Sequence, residues 1–304
     1  MKKIKYLLKS LIRSITPYGI IMLYRRKKIK IQKSKTNKEF LNKTSIFCKY
    51  FLKTGTDGST YFDINGAKLP DIRNSYGLTA SFFRVFEDTF LIPLLFGNNY
   101  HKSTVELLDL ILDEGPYCYK DENIDVNVKA GDIVIDAGAW IGDFSAYSVS
   151  KGALMTYAFE PVNDTFKILS KTAHLNGEKM VAINKALSNK SGEAYINISS
   201  THSSSSSLVF TRSGKKEKIN LTTLDEFVEI NNIKGVDFIK ADIEGEERNM
   251  LKGAYNVLRN FAPRLAICTY HVPDDPVILE SIILDANPSY KIVHLRHKLY
   301  AMTI

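Results

Sequence analysis

The chain has 304 residues, 44% hydrophobic and 24% charged, which suits one full α/β domain with an appendage. Its net charge of +8 is concentrated at one end: residues 1–35 carry twelve Lys/Arg and no acid, leaving 29 basic residues against all 33 acidic ones elsewhere. The body is thus mildly acidic, which disfavours nucleic acid as a partner.

Cys48, Cys118 and Cys268 are odd in number and share no CxxC spacing. That excludes a disulfide framework or zinc knuckle and fits a reducing cytosol. Residues 2–15 place Ile4, Leu7, Leu8, Leu11, Ile12 and Ile15 at helical spacing with Lys2, Lys5, Lys9 and Arg13 between them. This is a basic amphipathic helix, suited to peripheral contact with the anionic inner face of a cytoplasmic membrane or to docking on the body. The apolar piece that follows, Ile15–Tyr24, contains Pro17 and Gly19 and is too short to span a bilayer. No long apolar core leads to a small-residue cleavage site, so a signal peptide is not expected. Residues 36–125 read as a small, irregular cap, in which Tyr117 either lines a pocket or simply packs.

From residue 126 to 304 the pattern is regular. Strands are expected at Val126–Val128, Ile133–Ile135, Leu154–Phe159, Val181–Ala186, Val236–Ala241 and Leu265–Tyr270. Helices are expected at Phe144–Ser150, Val162–Leu175 with an Asn176-Gly177 stop, Leu224–Ile230, Glu247–Arg259 and Val277–Ala286. Glu193–Ile198 and Lys218–Leu221 read as edge strands around the polar run Ser199–Ser207, a loop able to close over a substrate. Tyr290–Leu295 and Leu299–Ile304 read as a closing antiparallel hairpin at the sheet edge. Strand alternating with helix specifies a doubly wound, mostly parallel Rossmann-like sheet.

In such sheets a ligand sits outside the carboxyl ends of the strands at the switch point. The residues just after strands are Asp136, Gly138 and Gly142, then Glu160, then Lys185 and Ala186, then Asp242 and Glu244, and finally His271. A GxGxxG dinucleotide fingerprint needs glycine at positions 136, 138 and 141, where this chain has Asp136, Gly138 and Ile141. Asp136 would repel a pyrophosphate and suits a cationic nucleoside such as S-adenosylmethionine. Gly138 is expected to let the backbone approach a ligand, and Gly142 to let the next helix pack on the strand. Glu160, 22 residues beyond Gly138, is placed to bind ribose hydroxyls; as a plain structural acid it would sit at a helix start with Pro161 at N1. Lys240 is expected on the opposite side of its strand from the cleft, in a structural role.

Gly131-Asp132-Ile133-Val134-Ile135-Asp136-Ala137-Gly138-Ala139 followed by Gly142-Asp143-Phe144-Ser145 resembles the opening motif of the FkbM family of S-adenosylmethionine-dependent methyltransferases. Ala158-Phe159-Glu160-Pro161, Thr223-Leu224-Asp225, Phe238-Ile239-Lys240-Ala241-Asp242-Ile243-Glu244-Gly245 with Glu247, Leu251-Lys252-Gly253-Ala254, and Tyr270-His271 match that family in the same order. Ala241 departs from it, standing where a larger apolar residue is expected. The resemblance covers roughly residues 114–300 and implies a class I methyltransferase fold and methyl transfer from S-adenosylmethionine to a hydroxyl. It implies cofactor contacts from Asp136, Gly138, Ala139, Gly142 and Asp242 on the methionine side. Glu160 and Pro161 would serve the ribose, and Asn184 to Leu187, including Ala186, the adenine edge.

A sugar-type hydroxyl has a pKa far above neutrality, so a base or a metal is wanted. His271 is the first candidate for base. Asp242 and Glu244 share a face and, with His271, form a candidate site for a divalent metal; they equally suit substrate or cofactor orientation. The basic N-terminal segment on a cytoplasmic enzyme points to a surface-destined glycan as acceptor, with a small natural-product hydroxyl as the alternative. A nucleotide-sugar or NAD-dependent Rossmann enzyme is opposed by Asp136 and Ile141. An amine or nucleic-acid methylase usually carries a Pro-Pro-aromatic motif where this chain has Asp242-Ile243-Glu244-Gly245, and a membrane-associated binding protein rests on residues 1–35 alone.

Overall fold

The computed structural model describes residues 51–72, 117–198, 216–295 and 297–304. The amphipathic segment 1–35, the serine tract 199–207 and most of the region 36–125 lie outside the described residues. Among the described residues no helix is long and apolar enough to cross a membrane.

The chain enters through an antiparallel meander of β1 (Leu52–Thr54), β2 (Thr60–Ile64) and β3 (Ala67–Pro70), and later forms a short ribbon of β4 (Tyr119–Lys120) and β5 (Asp125–Val126). The central sheet begins at β6 (Ile133–Ala137), followed by α1 (Asp143–Ser150), β7 (Met155–Phe159), α2 (Asn163–Asn176) and β8 (Met180–Ile183). A side sheet follows, built from β9 (Ala186–Leu187), β10 (Gly192–Asn197) and β11 (Lys216–Thr222). Next come α3 (Leu224–Ile230), β12 (Phe238–Ala241), α4 (Glu247–Lys252), α5 (Tyr255–Asn260) and β13 (Arg264–Cys268). The chain closes with α6 (Asp275–Ala286), β14 (Tyr290–His294) and β15 (Lys298–Thr303).

The central sheet has the order β14-β15-β13-β12-β6-β7-β8. Only β15 runs against the rest. Its inner strands are apolar runs because helices cover both faces. Strand alternation divides the core in two. Val134, Phe238, Ala266 and Tyr300 face one cluster, while Ile135, Ile239, Leu265, Ile267 and Leu299 face the other. Phe62, Ile64, Leu69 and Tyr119 belong to the first cluster, and Asn176 accepts from Lys68 N (3.0 Å) and donates to Lys68 O (2.7 Å). The described parts of region 36–125 therefore share the sheet's core.

Four elements differ from expectation, each for a local reason. The helix expected over Glu247–Arg259 is two. At Gly253 an added Cβ would stand 2.0 Å from Ser188 O, and Asp225 accepts from Asn256 N and Val257 N at 2.9 Å each, capping a new helix start. The strand expected over Val181–Ala186 ends at Ile183, because Asn184 Nδ2 donates to Glu160 O (3.0 Å) and Pro161 O (3.1 Å), and the chain turns into β9. Helix α2 starts at Asn163, so Pro161 precedes it rather than occupying N1. The strand expected over Val126–Val128 is only β5 of the separate ribbon, where Asn127 Nδ2 turns back to donate to Asp125 Oδ1 (2.6 Å). The closing hairpin lies at the sheet edge as expected, with β14 outermost and β15, buried over Lys298–Ala301, between β13 and β14. A hairpin is free to dock by either strand, and the more apolar one goes inside.

Candidate functional site

Strand order reverses between β6 and β12, since the chain moves outward through β7 and β8 and returns through β12 to β13. The carboxyl ends of β6 and β12 form the switch-point crevice. Two backbone turns meet there. Gly138 N and Ala139 N donate to Phe159 O at 3.1 and 2.8 Å, and Asp242 N donates to Ala137 O at 3.1 Å. Gly138 has φ +73°, and an added Cβ would lie 2.0 Å from Asp242 O. Its glycine requirement therefore comes from the neighbouring β12 turn, in addition to any approach by a ligand. Gly142 is a packing glycine, but against α2 and β8 instead of between the next helix and its own strand: φ is +87°, and a Cβ would press on Leu169 Cδ1 (2.7 Å) and Met180 Cε (2.8 Å).

Asp136 is fully buried beneath the turn. Ser145 Oγ donates to its Oδ2 (2.6 Å), and Lys240 Nζ lies 3.0 Å from its Oδ1. The register pairs Lys240 with Asp136 directly across the two strands. Lys240 also shares its strand face with Asp242, two residues on, so the opposite-side placement expected for it is corrected by the period-2 rule. Its ammonium donates to Gly138 O (2.7 Å), tying the cation to the glycine turn. Burial pulls the Lys240 pKa down, but Asp136, Asp242 and Asp143 reverse that and leave it above its ordinary value.

Beside the turn opens a small, partly open cleft lined by Gly138, Glu160, Pro161, Lys185, Ala186, Ile243 and Glu246, among others. Glu160 sits at the end of β7, largely buried. Its Oε2 accepts from Trp140 N (3.2 Å) and its Oε1 from Val162 N (2.9 Å). Each oxygen keeps a further lone pair for a vicinal diol. Burial pushes the Glu160 carboxyl up to about 8, with the two backbone donors and Lys240 offsetting only part of it. Glu160 thus serves both its structural and its cleft-lining roles. Of the other expected cofactor contacts, Pro161 and Ala186 line the cleft. Ala139 is buried behind it, Asn184 is engaged by two carbonyls, and Asp136 and Gly142 act on the turn from below.

On the β12–β13 side a polar cluster gathers the remaining candidates. Asp242 Oδ2 accepts from Tyr117 Oη (2.7 Å) and Oδ1 from Tyr270 Oη (3.3 Å). His271 Nδ1 lies 3.0 Å from Glu247 Oε1, while Nε2 faces Asp242 Oδ1 (3.5 Å) and Glu244 Oε2 (3.8 Å). Glu247, fully buried, accepts from Ile243 N (2.8 Å) and Gly245 N (3.0 Å). Those bonds hold Glu244 at φ +57°, a left-handed conformation that a non-glycine residue keeps only when its surroundings impose it. Asp242, Glu244 and His271, separated in sequence, are thus brought together.

The electrostatics alter one expected role. Burial lowers the His271 pKa, but Glu247, Asp242 and Glu244 more than offset it and raise it to about 9. His271 therefore carries a proton at neutral pH and is not poised as a base in the ligand-free protein. Burial raises the Asp242 carboxyl, and His271, Lys240 and Tyr117 outweigh it, leaving it below its ordinary range. Tyr117, Glu247 and Lys298 are the residues sequence reasoning undervalued. Tyr117 bonds Asp242, and its ring lies 4.4 Å beneath buried Lys298 Nζ. The Asp242–Glu247 segment carried a signal for Glu247 and the turn before Tyr117 offered its ring as a pocket lining, whereas Lys298 had none.

Residues 136–287, half of the chain, match the family model described as the Methyltransferase FkbM domain. Hexuronic acid methyltransferase AglP of Haloferax volcanii is 27% identical over 164 residues, covering 54% of this chain and 66% of that protein. The solved methyltransferase FkbM from Methylobacillus flagellatus is similar with a TM-score of 0.47 and 20% identity, over 79% of this chain and 62% of its own. Aeropyrum pernix fibrillarin, solved with natively bound S-adenosyl-L-methionine, has a TM-score of 0.40 and 13% identity, over 83% of this chain and 93% of its own. The chain thus spans a little under two thirds of the length of both AglP and the Methylobacillus protein.

Proposed function

Because this chain belongs to the FkbM methyltransferase domain family, we propose that it methylates a hydroxyl of a sugar, using S-adenosylmethionine bound in the β6/β12 crevice. The observation that carries the reading is Glu160: a buried carboxyl at the end of β7, beside the glycine turn, whose two oxygens, once ionised, each keep a lone pair beyond their backbone donors. That is the chemistry a ribose diol requires, and the cleft's polar and apolar lining suits a nucleoside. Glu160 would hold the ribose, Pro161 and Ala186 the base, and the Gly138 turn the methionine half.

S-adenosylmethionine, when bound, supplies a methyl group on a positively charged sulfur. The acceptor oxygen forms the new C–O bond as the C–S bond breaks, and the hydroxyl proton leaves to a carboxylate. We assign that proton to Glu244, because His271 already holds one and its charge, with Lys240 and Tyr117, makes Asp242 a weak base. His271 then keeps the two carboxylates together, and Tyr117 and Tyr270 orient Asp242. A sugar acceptor is supported by the relative named as a hexuronic acid methyltransferase.

Isothermal titration with S-adenosylmethionine and with NAD, followed by transfer of labelled methyl to uronic-acid and neutral oligosaccharides, tests the reading. Binding of S-adenosylmethionine alone is expected. Glu160→Ala should weaken it by at least about tenfold, since a hydrogen bond to a charged group contributes about 1.5–3 kcal/mol. Binding of NAD instead, or no effect of Glu160→Ala, would overturn it.

A further inference from the structure

The spacing within the His271 cluster differs from that of a hydrogen-bonded triad. On one side His271 Nδ1 is 3.0 Å from Glu247 Oε1, a hydrogen-bonding distance. On the other, Nε2 stands 3.5 Å from Asp242 Oδ1 and 3.8 Å from Glu244 Oε2, and neither buried ring nitrogen makes a hydrogen bond of good geometry. Those separations are too long for hydrogen bonds. Two ligand atoms each about 2.1 Å from one ion lie about 3.4 Å apart at a tetrahedral angle and about 3.0 Å apart at a right angle. The imidazole is nearly sealed, its side chain only 4% exposed, whereas Asp242 and Glu244 keep 16% and 14% of theirs in contact with solvent. Nε2 is thus a sealed donor facing two carboxylates that remain partly open to solvent.

We propose that His271 Nε2, Asp242 Oδ1 and Glu244 Oε2 bind one divalent cation of the Mn²⁺ or Mg²⁺ class, with Glu247 as the partner that orients the imidazole. Oxygen-rich donors with a single imidazole suit hard or borderline divalent ions, and a carboxylate on the far imidazole nitrogen is the usual support for a metal-binding histidine. Oxygens of Asp242, Glu247 and a nitrogen of His271 also fall within 4.8 Å of one another. Glu247 is the less suitable direct ligand, because its two oxygens already accept Ile243 N and Gly245 N from within a fully buried position. Those bonds fix the left-handed backbone of Glu244, whose Oε2 lies 3.8 Å from His271 Nε2. Lys240 pairs with Asp136 and Lys298 Nζ lies over the Tyr117 ring, and both also act on the Asp242 carboxylate.

The binding site stands on this geometry alone. Its role rests on the methyl-transfer reading: an ion with open positions would hold an acceptor hydroxyl and lower its pKa. Bound there, it would displace the His271 proton and occupy the carboxylates, so the acceptor's proton would pass to water instead of to a carboxylate.

The test is titration of the full chain, stripped of metal with chelator, with Mn²⁺ alone and no cofactor or acceptor. Calorimetry and electron paramagnetic resonance are read together. One bound ion per chain is expected, with pulsed-resonance coupling to one imidazole nitrogen. His271→Gln and Glu244→Gln should abolish the site, and Glu247→Gln should weaken it by about 10–100-fold. Thermal unfolding of each variant reports whether it folds. Should a variant fail to fold, the nitrogen coupling in the wild-type chain still decides the matter. No binding, or binding that lacks the nitrogen coupling or survives all three substitutions in folded protein, would overturn the proposal. S-adenosylmethionine titration of the metal-free chain separately tests the methyl-transfer reading, so either can fail while the other stands.

Discussion

Lys240→Met is the most informative single change. The side chain keeps its length and apolar stem but loses the ammonium that sits 3.0 Å from Asp136 Oδ1 and donates to Gly138 O at 2.7 Å. Both members of the pair are sealed, with side chains 6% and 0% exposed, so water cannot replace the lost cation. Breaking a buried pair in this way costs about 3–5 kcal/mol, most of it the uncompensated charge left on Asp136. For a chain of this size each kcal/mol shifts the melting temperature by roughly 2–4 °C, so a fall on the order of 10 °C is expected. Combining it with Asp136→Asn removes the stranded charge as well. The double variant should recover a substantial part of the loss, with a coupling of about 2 kcal/mol or more in a denaturant-measured double-mutant cycle. Ser145 Oγ still has an acceptor in that variant. A Lys240→Met cost below about 1 kcal/mol, or strict additivity with Asp136→Asn, would refute a paired buried charge as the support of the glycine turn.

Two further outcomes can be checked. Gly138→Ala meets Asp242 O at 2.0 Å and a positive φ together, so the β6 and β12 turns must part by more than an ångström; a stability loss of about 2–4 kcal/mol and weakened S-adenosylmethionine binding are expected, and wild-type stability would show that the turns do not touch. Glu160, raised to about 8 from an ordinary 4.5, makes the folded chain hold more protons than the unfolded one between those values; its stabilising contribution is complete below about pH 4.5 and declines as pH rises through 8. Cofactor affinity should move the other way, tightening as the carboxylate forms between pH 6.5 and 8.5, with that dependence absent in Glu160→Gln; an unchanged dissociation constant across the range would count against ribose binding to the carboxylate.

The order of strands and helices from β6 onward was legible because β6, β7 and β12 are largely apolar runs ended by glycine or acid, a pattern that needs no knowledge of its neighbours. The same local logic found Glu160, Asp242 and His271, which stand where parallel strands end. It also identified Gly142 as a packing glycine. What sequence alone left undecided is which groups face one another. Asp136 was readable as a ligand contact until its register with Lys240 showed a sealed pair, and pairing across strands 104 residues apart is a tertiary fact. The protonation of His271 likewise depends on three carboxylates that reach it through a turn and another strand's end. Tyr117 and Lys298 have no motif at all, and they enter the site only because the sheet's core draws their segments beside Asp242. Local pattern determined the elements and the ends at which chemistry occurs. Burial and register, which exist only once the sheet is assembled, decided the charge each of those residues carries.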